Sequence, residues 1–347
     1  MNPMTMSRCL PVWLSICAMN GIGLIGCGGD GGGAEQPGEA ERYPRLPEAA
    51  GSFGAAVLDG FAYVLGGHVT PSHVGTDFTS ADLTPAFRRL DLAEGGQWED
   101  LADVQPLEGV GLVSHGEHLY RVGGLRIENA PGEPEDLHSA ATAERYEPGA
   151  AAWEPLPELP EGRSAHGTTT IGDTLYVIAG WTLDGDSNSG TFPNGGHKLD
   201  LSAEDAVWEP IPEPPFKHRS LTAAALGDKI YAIGGVDEAA AFTAKVFVLD
   251  TREGTWTEGP SLPEAPPLHA FGAASCVVSG KLYVNYAGGF YRLSAAGDAW
   301  EPAGTMKTPR IFNGLLCASE SELIALGGFN LSRGAEPLDD VEVISVK

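Results

Sequence analysis

Three arginines, Arg163, Arg219 and Arg310, each stand at the head of a short apolar run, and His166, His218 and His269 occupy similar ground. Cationic side chains are scarce here, with 21 Lys and Arg against 47 Asp and Glu, so their recurrence at near-equivalent positions asks for a reason. The planar guanidinium fork grips carboxylates and the acidic groups of sugars. Arg126, Trp181, Phe329 and His68 fall in the loops that follow the next apolar run, where the two aromatics offer faces on which a sugar or peptide stacks. Two readings follow. Either these residues form one ligand-binding face, or the arginines pair with acidic neighbours and hold the structure together.

Other chemistries find less support. After residue 26 the chain has no C-x-x-C, H-E-x-x-H or G-x-S-x-G motif. Ser164 and His166 lie close in Gly162-Arg163-Ser164-Ala165-His166-Gly167, but their spacing is wrong for a nucleophile elbow. Asp184-Gly185-Asp186-Ser187-Asn188 places oxygens at alternate positions, like the start of a calcium loop. Its sixth position is Ser189 rather than Gly and its twelfth is Gly195 rather than Glu, which favours a polar turn over a calcium site. The G-x-G-x-x-G of residues 21–26 follows no strand and opens no βαβ unit, so it is no nucleotide site. A net charge of −26 repels phosphate backbones, excludes nucleic acid as a partner and favours solubility.

The elements that carry these residues are repeats. Residues 219–263 read as four short strands: 220–226, 229–233, 245–249 and 255–257. Gly227-Asp228 turns between the first two, and Gly234-Gly235 ends the second. The polar–apolar alternation of residues 229–233 is that of a half-buried strand. Such a sheet cannot bury both faces alone and needs copies of itself on each side. The copies are present. Tryptophans recur at 98, 153, 208, 256 and 300, and small pairs at Gly66-Gly67, Gly123-Gly124, Ala179-Gly180, Gly234-Gly235 and Gly327-Gly328. Tyr63, Tyr120, Tyr176 and Tyr231 precede four of the pairs at a fixed offset; a fifth copy keeps Tyr283 but shortens its loop before Gly288-Gly289.

A period near 50 residues with Gly-Gly, Tyr and Trp at these offsets resembles the kelch repeat, over roughly residues 43–347. The resemblance implies an all-β fold: a six-bladed kelch-type β-propeller with four-stranded antiparallel blades around a central channel. Its sixth blade begins near Lys307 and lacks a tryptophan-bearing fourth strand. Residues 43–47, aligned with residues 153–157, are expected to supply that strand and close the ring. In such a propeller the segments leading into the inner strands share one face with the loops after the second strands. That places Arg163, His166, His218, Arg219, His269, Arg310, Arg126, Trp181 and Phe329 around the channel mouth.

The kelch resemblance implies a non-enzymatic binding module for a protein or glycan. Some periplasmic six-bladed kelch proteins are sialic acid mutarotases, which makes a sugar epimerase the alternative; Arg163, Arg219 and Arg310 would take a carboxylate with His166 or His269 beside it. The tyrosine and histidine copper ligands of galactose oxidase, whose propeller is kelch-like, do not map onto this chain. No catalytic residue, metal or cofactor is expected.

Residues 1–26 read as a secretory signal, with Arg8 as its only charge. Leu24-Ile25-Gly26-Cys27 resembles the lipobox of bacterial lipoproteins, which implies cleavage before Cys27, lipid on its thiol and a cell-envelope location. Residues 27–42 then form the lipidated cysteine and a glycine-rich tether, and the membrane is touched only through the lipid. Cys276 and Cys317 occupy matching places in blades five and six. Since packed sheets lie about 10 Å apart, both are expected as free, buried thiols.

Overall fold

The fold is seen in a computed structural model that describes residues 42–71, 78–93 and 96–346. Cys27 and the signal and tether segments lie outside them. Residues 219–263 fold as the repeat requires. Strands Thr222–Leu226, Lys229–Ile233, Val246–Asp250 and Thr255–Glu258 pair antiparallel in chain order. Leu226 pairs with Lys229 across the Gly227-Asp228 turn. The second strand is not half-buried. Apart from Lys229 its residues are all buried, because the strand is covered by a neighbouring sheet on each side.

Among the described residues, five sheets have this four-stranded plan and a sixth has three of its strands. Their inner strands are Gly54–Leu58, Gly111–His115, Gly167–Ile171, Thr222–Leu226, Ala274–Val278 and Gly314–Ser319. Each inner strand lies beside the next, and the sixth lies beside the first. The core sits between blades. Tyr231, Ile233, Val246 and Val248 of the fourth, for example, pack on Leu282, Val284, Tyr286 and Trp300 of the fifth.

The repeat residues earn their places in this geometry. The indole N–H of Trp208 donates to the carbonyl of Pro157 (2.7 Å), Trp256 to Pro212 (2.8 Å) and Trp300 to Pro260 (2.8 Å), each tying one blade to the end of the blade before it. The second residue of a small pair does the reverse and reaches the next blade. Gly67 N–H donates to the carbonyl of Leu107 and Gly124 N–H to that of Arg163, both at 2.8 Å. The first glycine of the pair must be small as well as left-handed. At Gly66 (φ +65°) a Cβ would stand 2.4 Å from the Leu107 oxygen, and at Gly123 (φ +62°) 2.3 Å from the Arg163 oxygen.

One bond of the tryptophan set shifts the expected alignment of the N-terminal segment. Trp98 of blade one donates to Pro44 (3.1 Å), so Pro44 matches Pro157, Pro212 and Pro260. Pro44-Arg45-Leu46-Pro47 therefore aligns with Pro157-Glu158-Leu159-Pro160, three residues away from the expected register. The leucines agree, since Leu46 and Leu159 are both buried. Residues 43–47 accordingly form no strand; they lie between blades six and one, held by Leu46 N–H on the Asp339 carbonyl (2.7 Å). The sixth sheet has three strands among the described residues, Gly314–Ser319, Glu322–Leu326 and Val341–Ser345. The place matching the strand Glu154–Pro155 falls at residues 41–42, where the described chain begins.

Cys276 and Cys317 are joined as a disulfide, with Cα atoms 6.4 Å apart, contrary to the expectation of free thiols. The expectation used the spacing of sheets packed face to face. Inner strands converge on the propeller axis, so neighbouring ones approach more closely than the bodies of their sheets, and 6.4 Å lies within bridging distance.

Candidate functional site at the channel mouth

Each blade begins with a short lead-in whose third residue has positive φ: Ser52, Gly109, Ala165, Ser220, Gly272 and Phe312, all between 51° and 64°. Backbone hydrogen bonds join these six residues in a closed cycle. Gly109 N–H donates to Ser52, Ala165 to Gly109, Ser220 to Ala165, Gly272 to Ser220, Phe312 to Gly272 and Ser52 to Phe312, at 2.7–3.1 Å. A left-handed conformation costs a non-glycine residue of order 1 kcal/mol, and this ring of bonds holds Ser52, Ala165, Ser220 and Phe312 in it. The cycle forms a rigid collar around the channel.

A cavity of about 160 Å³ opens at the collar. Its chemistry comes from the residues beside the collar: Glu108, Ser164 and Arg219 before it, and His166 and Asn313 after it, with Trp181 alongside. The Arg219 guanidinium lies 3.9 Å from the centre of the Trp181 ring and is only 3% exposed. Burial pushes its pKa down to about 10, partly offset by the nearby Glu108 carboxylate, so it stays charged at neutral pH. Glu108 is itself buried and bonded to Nδ1 of His68 (2.9 Å), whose ring stands edge-on to Phe78 and Phe329. Ser164 pairs with the Ser139 hydroxyl (2.9 Å) rather than with a histidine, which leaves it without the base a nucleophile needs.

The arginines divide by position within the lead-in. Arg219 immediately precedes its collar residue and lines the cavity. Arg163 and Arg310 stand two residues before theirs and turn between the strands of their own blades. Arg163 is fully buried and donates to the carbonyls of Ala179 and Gly195, both at 3.0 Å, and to Glu161 (2.6 Å). Arg310 is 1% exposed and donates to the carbonyl of Gly327 (3.0 Å), to Glu342 (3.2 Å) and to Asp340. His218, at the same lead-in position in blade four, bonds the Gly234 carbonyl (3.1 Å) in the same way. These three staple a blade through the first residue of its small pair.

His166 lines the cavity but packs into a slot left by Gly111 and Gly123 of blade two. Burial, and then the Arg163 charge, push its pKa down to about 3, so it is neutral. Trp181 is 9% exposed, beneath Arg219. Phe329 is fully buried against Gly51 and presents no face to a ligand. Arg126 pairs with Glu128 (2.8 Å), and His269 sits half-buried in its lead-in turn; neither lines the cavity. Asp186 accepts from Asn188 N–H (2.9 Å) within a tight turn, and the Asp184 carboxylate bonds His138 (2.8 Å) instead of converging with it on an ion. Sequence reasoning missed Glu108. Its signal was available, because Leu107-Glu108-Gly109 superimposes on His218-Arg219-Ser220 once the collar residues are aligned.

The arrangement offers one buried cation over an aromatic face, a carboxylate, and hydroxyl and amide groups from Ser164 and Asn313, on a collar that does not have to rearrange. It suits recognition of a small polar group, above all an anionic one.

Comparison with known proteins places these features in context. The chain is 26% identical over 250 residues to Kelch-like protein 35 of Mus musculus, covering 71% of this chain and 37% of that protein. It is 36% identical over 127 residues to a putative F-box/kelch-repeat protein of Arabidopsis thaliana, covering 37% of this chain and 33% of the relative. It thus spans about a third of the length of these curated relatives. The solved structure of YjhT matches with a TM-score of 0.70 at 17% identity, over 88% of this chain and 98% of that one, a likeness of fold. The KLHDC2/KLHL20/DRC7 Kelch-repeats domain matches residues 109–301. With more than half of its length so matched, its tryptophan ties, its small pairs and its collar, the chain belongs to this kelch-repeat domain family.

Proposed function

We propose that the chain is a non-enzymatic binding module that takes a protein or glycan ligand at the channel mouth and is held on a bacterial envelope by lipid on Cys27. The observation that carries the binding reading is Arg219, buried over Trp181 at the cavity. In a chain of net charge −26, a guanidinium lining the cavity over an aromatic face suits an anionic group. Screening the protein against arrays of acidic glycans and peptides tests this. Hits that weaken with Arg219→Ala support it, and an array without hits, or hits indifferent to Arg219, contradicts it.

The export reading draws support from the Cys276–Cys317 disulfide, a bond that persists in oxidising compartments. Labelled palmitate should enter the protein in a bacterial host and be lost with Cys27→Ser; labelling that survives the substitution removes the anchor. A sugar epimerase remains the second reading, favoured by one observation: Glu108 and the neutral His166 both line the cavity that holds Arg219. NMR exchange between the anomers of a bound sugar separates it from simple binding.

A further inference from the structure

Strands Leu125–Ile127 and Leu137–Ser139 form a small hairpin on the loop face, outside the six blades. Side chains alternate along a strand, so Leu125, Ile127 and Leu137 point one way, where they are buried with Trp181 and Phe78. Arg126, Glu128, Asp136 and His138 point the other way. Arg126 lies opposite His138 in the ladder, and Glu128 N–H donates to the Asp136 carbonyl (2.8 Å). Ligand atoms of Glu128, Asp136 and His138 all fall within 4.8 Å of one another, close enough for small rotamer changes to bring them onto one ion.

A different strand supplies a second feature. Asp184, in Asp184–Gly185, lies opposite His138 and bonds its Nδ1 at 2.8 Å, while Nε2 faces Asp136 at 2.8 Å. A metal-ligating histidine characteristically gives one ring nitrogen to an outer carboxylate, which fixes the ring and leaves the other nitrogen for the metal. The sheet packs its buried side against Phe78, Trp181 and Leu183, which suits it to hold donors in place.

We propose that Glu128, Asp136 and His138 form a divalent transition-metal site, with Asp184 as the outer carboxylate on His138. One imidazole and two carboxylates suit Zn²⁺ or a similar borderline ion, whereas Ca²⁺ and Mg²⁺ favour all-oxygen sets. Three protein ligands leave a position open to water or to a group on a partner. Binding displaces the proton on Nε2 and draws Glu128 from Arg126, with which it pairs at 2.8 Å.

Calorimetric titration of the full chain with Zn²⁺, its free thiols alkylated beforehand, tests the site. One ion should bind per chain. His138→Ala should weaken binding at least tenfold, Asp184→Asn by about tenfold to hundredfold, and His115→Ala, at the other exposed histidine–aspartate pair, not at all. Circular dichroism of each variant shows whether it is folded. No stoichiometric Zn²⁺ binding, binding unchanged by His138→Ala in a folded variant, or tighter binding of Ca²⁺ than of Zn²⁺ would each overturn the proposal.

Discussion

Removing the Cys276–Cys317 bridge should cost this protein a measurable and calculable amount of stability. The two residues are 41 apart in sequence and belong to neighbouring inner strands. In the unfolded chain the bridge closes a loop of that length, and the loop-entropy relation, −2.1 − 1.5R ln n, gives about 13 cal/mol/K, or about 4 kcal/mol at 25 °C. A folded domain of about 300 residues unfolds with an entropy of roughly 0.6 kcal/mol/K, so the loss corresponds to about 6 °C in melting temperature. Native contacts change little beyond the two lost sulfurs in Cys276→Ala/Cys317→Ala, since both sites are half-buried against apolar neighbours of blades five and six. Calorimetric melting of the double variant and of each single variant is the assay, and all three should fall together, since either substitution abolishes the bond. A double variant that melts within about 1 °C of the parent would mean that the bridge does not stabilise the folded chain. So would a non-reducing peptide map in which both cysteines take up alkylating reagent.

Two further outcomes follow from single residues. His166 has a folded pKa near 3 against an ordinary 6.5, so below about pH 6.5 the unfolded chain takes up a proton that the folded one refuses. Its contribution to stability is complete above that pH and falls as the pH drops towards 3; at pH 5 the loss is about 2 kcal/mol, and urea melts of His166→Leu between pH 7 and pH 5 should show a correspondingly shallower slope. Tyr43 is 2% exposed between blades six and one, with its hydroxyl on the Leu92 carbonyl (3.2 Å). Tyr43→Ala should cost about 3–5 kcal/mol in urea unfolding, and an unchanged midpoint would mean that the N-terminal segment does not join those blades.

The architecture was legible because its markers are forced by contacts between blades. A tryptophan recurs where an indole must reach a proline carbonyl of the previous blade, as Trp256 reaches Pro212, and a glycine recurs where a carbonyl of the next blade leaves no room for a Cβ, as at Gly123. Trp153 keeps its place with a different partner, the Arg121 guanidinium at 4.8 Å, since Ala102 stands where the proline would be. The candidate site was harder to read because one residue of offset changes the direction of a side chain. Arg163 and Arg219 look equivalent in the sequence, yet they sit two residues and one residue before the collar, and only Arg219 faces the cavity. Glu108 was hidden for the same reason, in a blade whose lead-in carries no arginine. The register of residues 43–47 hinged on whether an aromatic or the Pro-x-Leu-Pro run is matched, and Pro44 accepting from Trp98 decides for the run. The cysteines were misread because spacing rules for flat packed sheets do not describe inner strands converging on an axis.

The proposed ligand recognition rests on Arg219 at the collar. Its most direct measurement is the affinity of the strongest array ligand, by isothermal titration, for the parent protein and for Arg219→Gln. Arg163→Gln serves as the internal comparison, its guanidinium being buried within blade three and away from the cavity. Arg219→Gln should weaken binding at least tenfold, about 1.4 kcal/mol, in a variant that circular dichroism shows to be folded. Arg163→Gln should lower the melting temperature and leave affinity in the folded protein intact. Equal affinity for the parent and Arg219→Gln, with loss confined to Arg163→Gln, would contradict it.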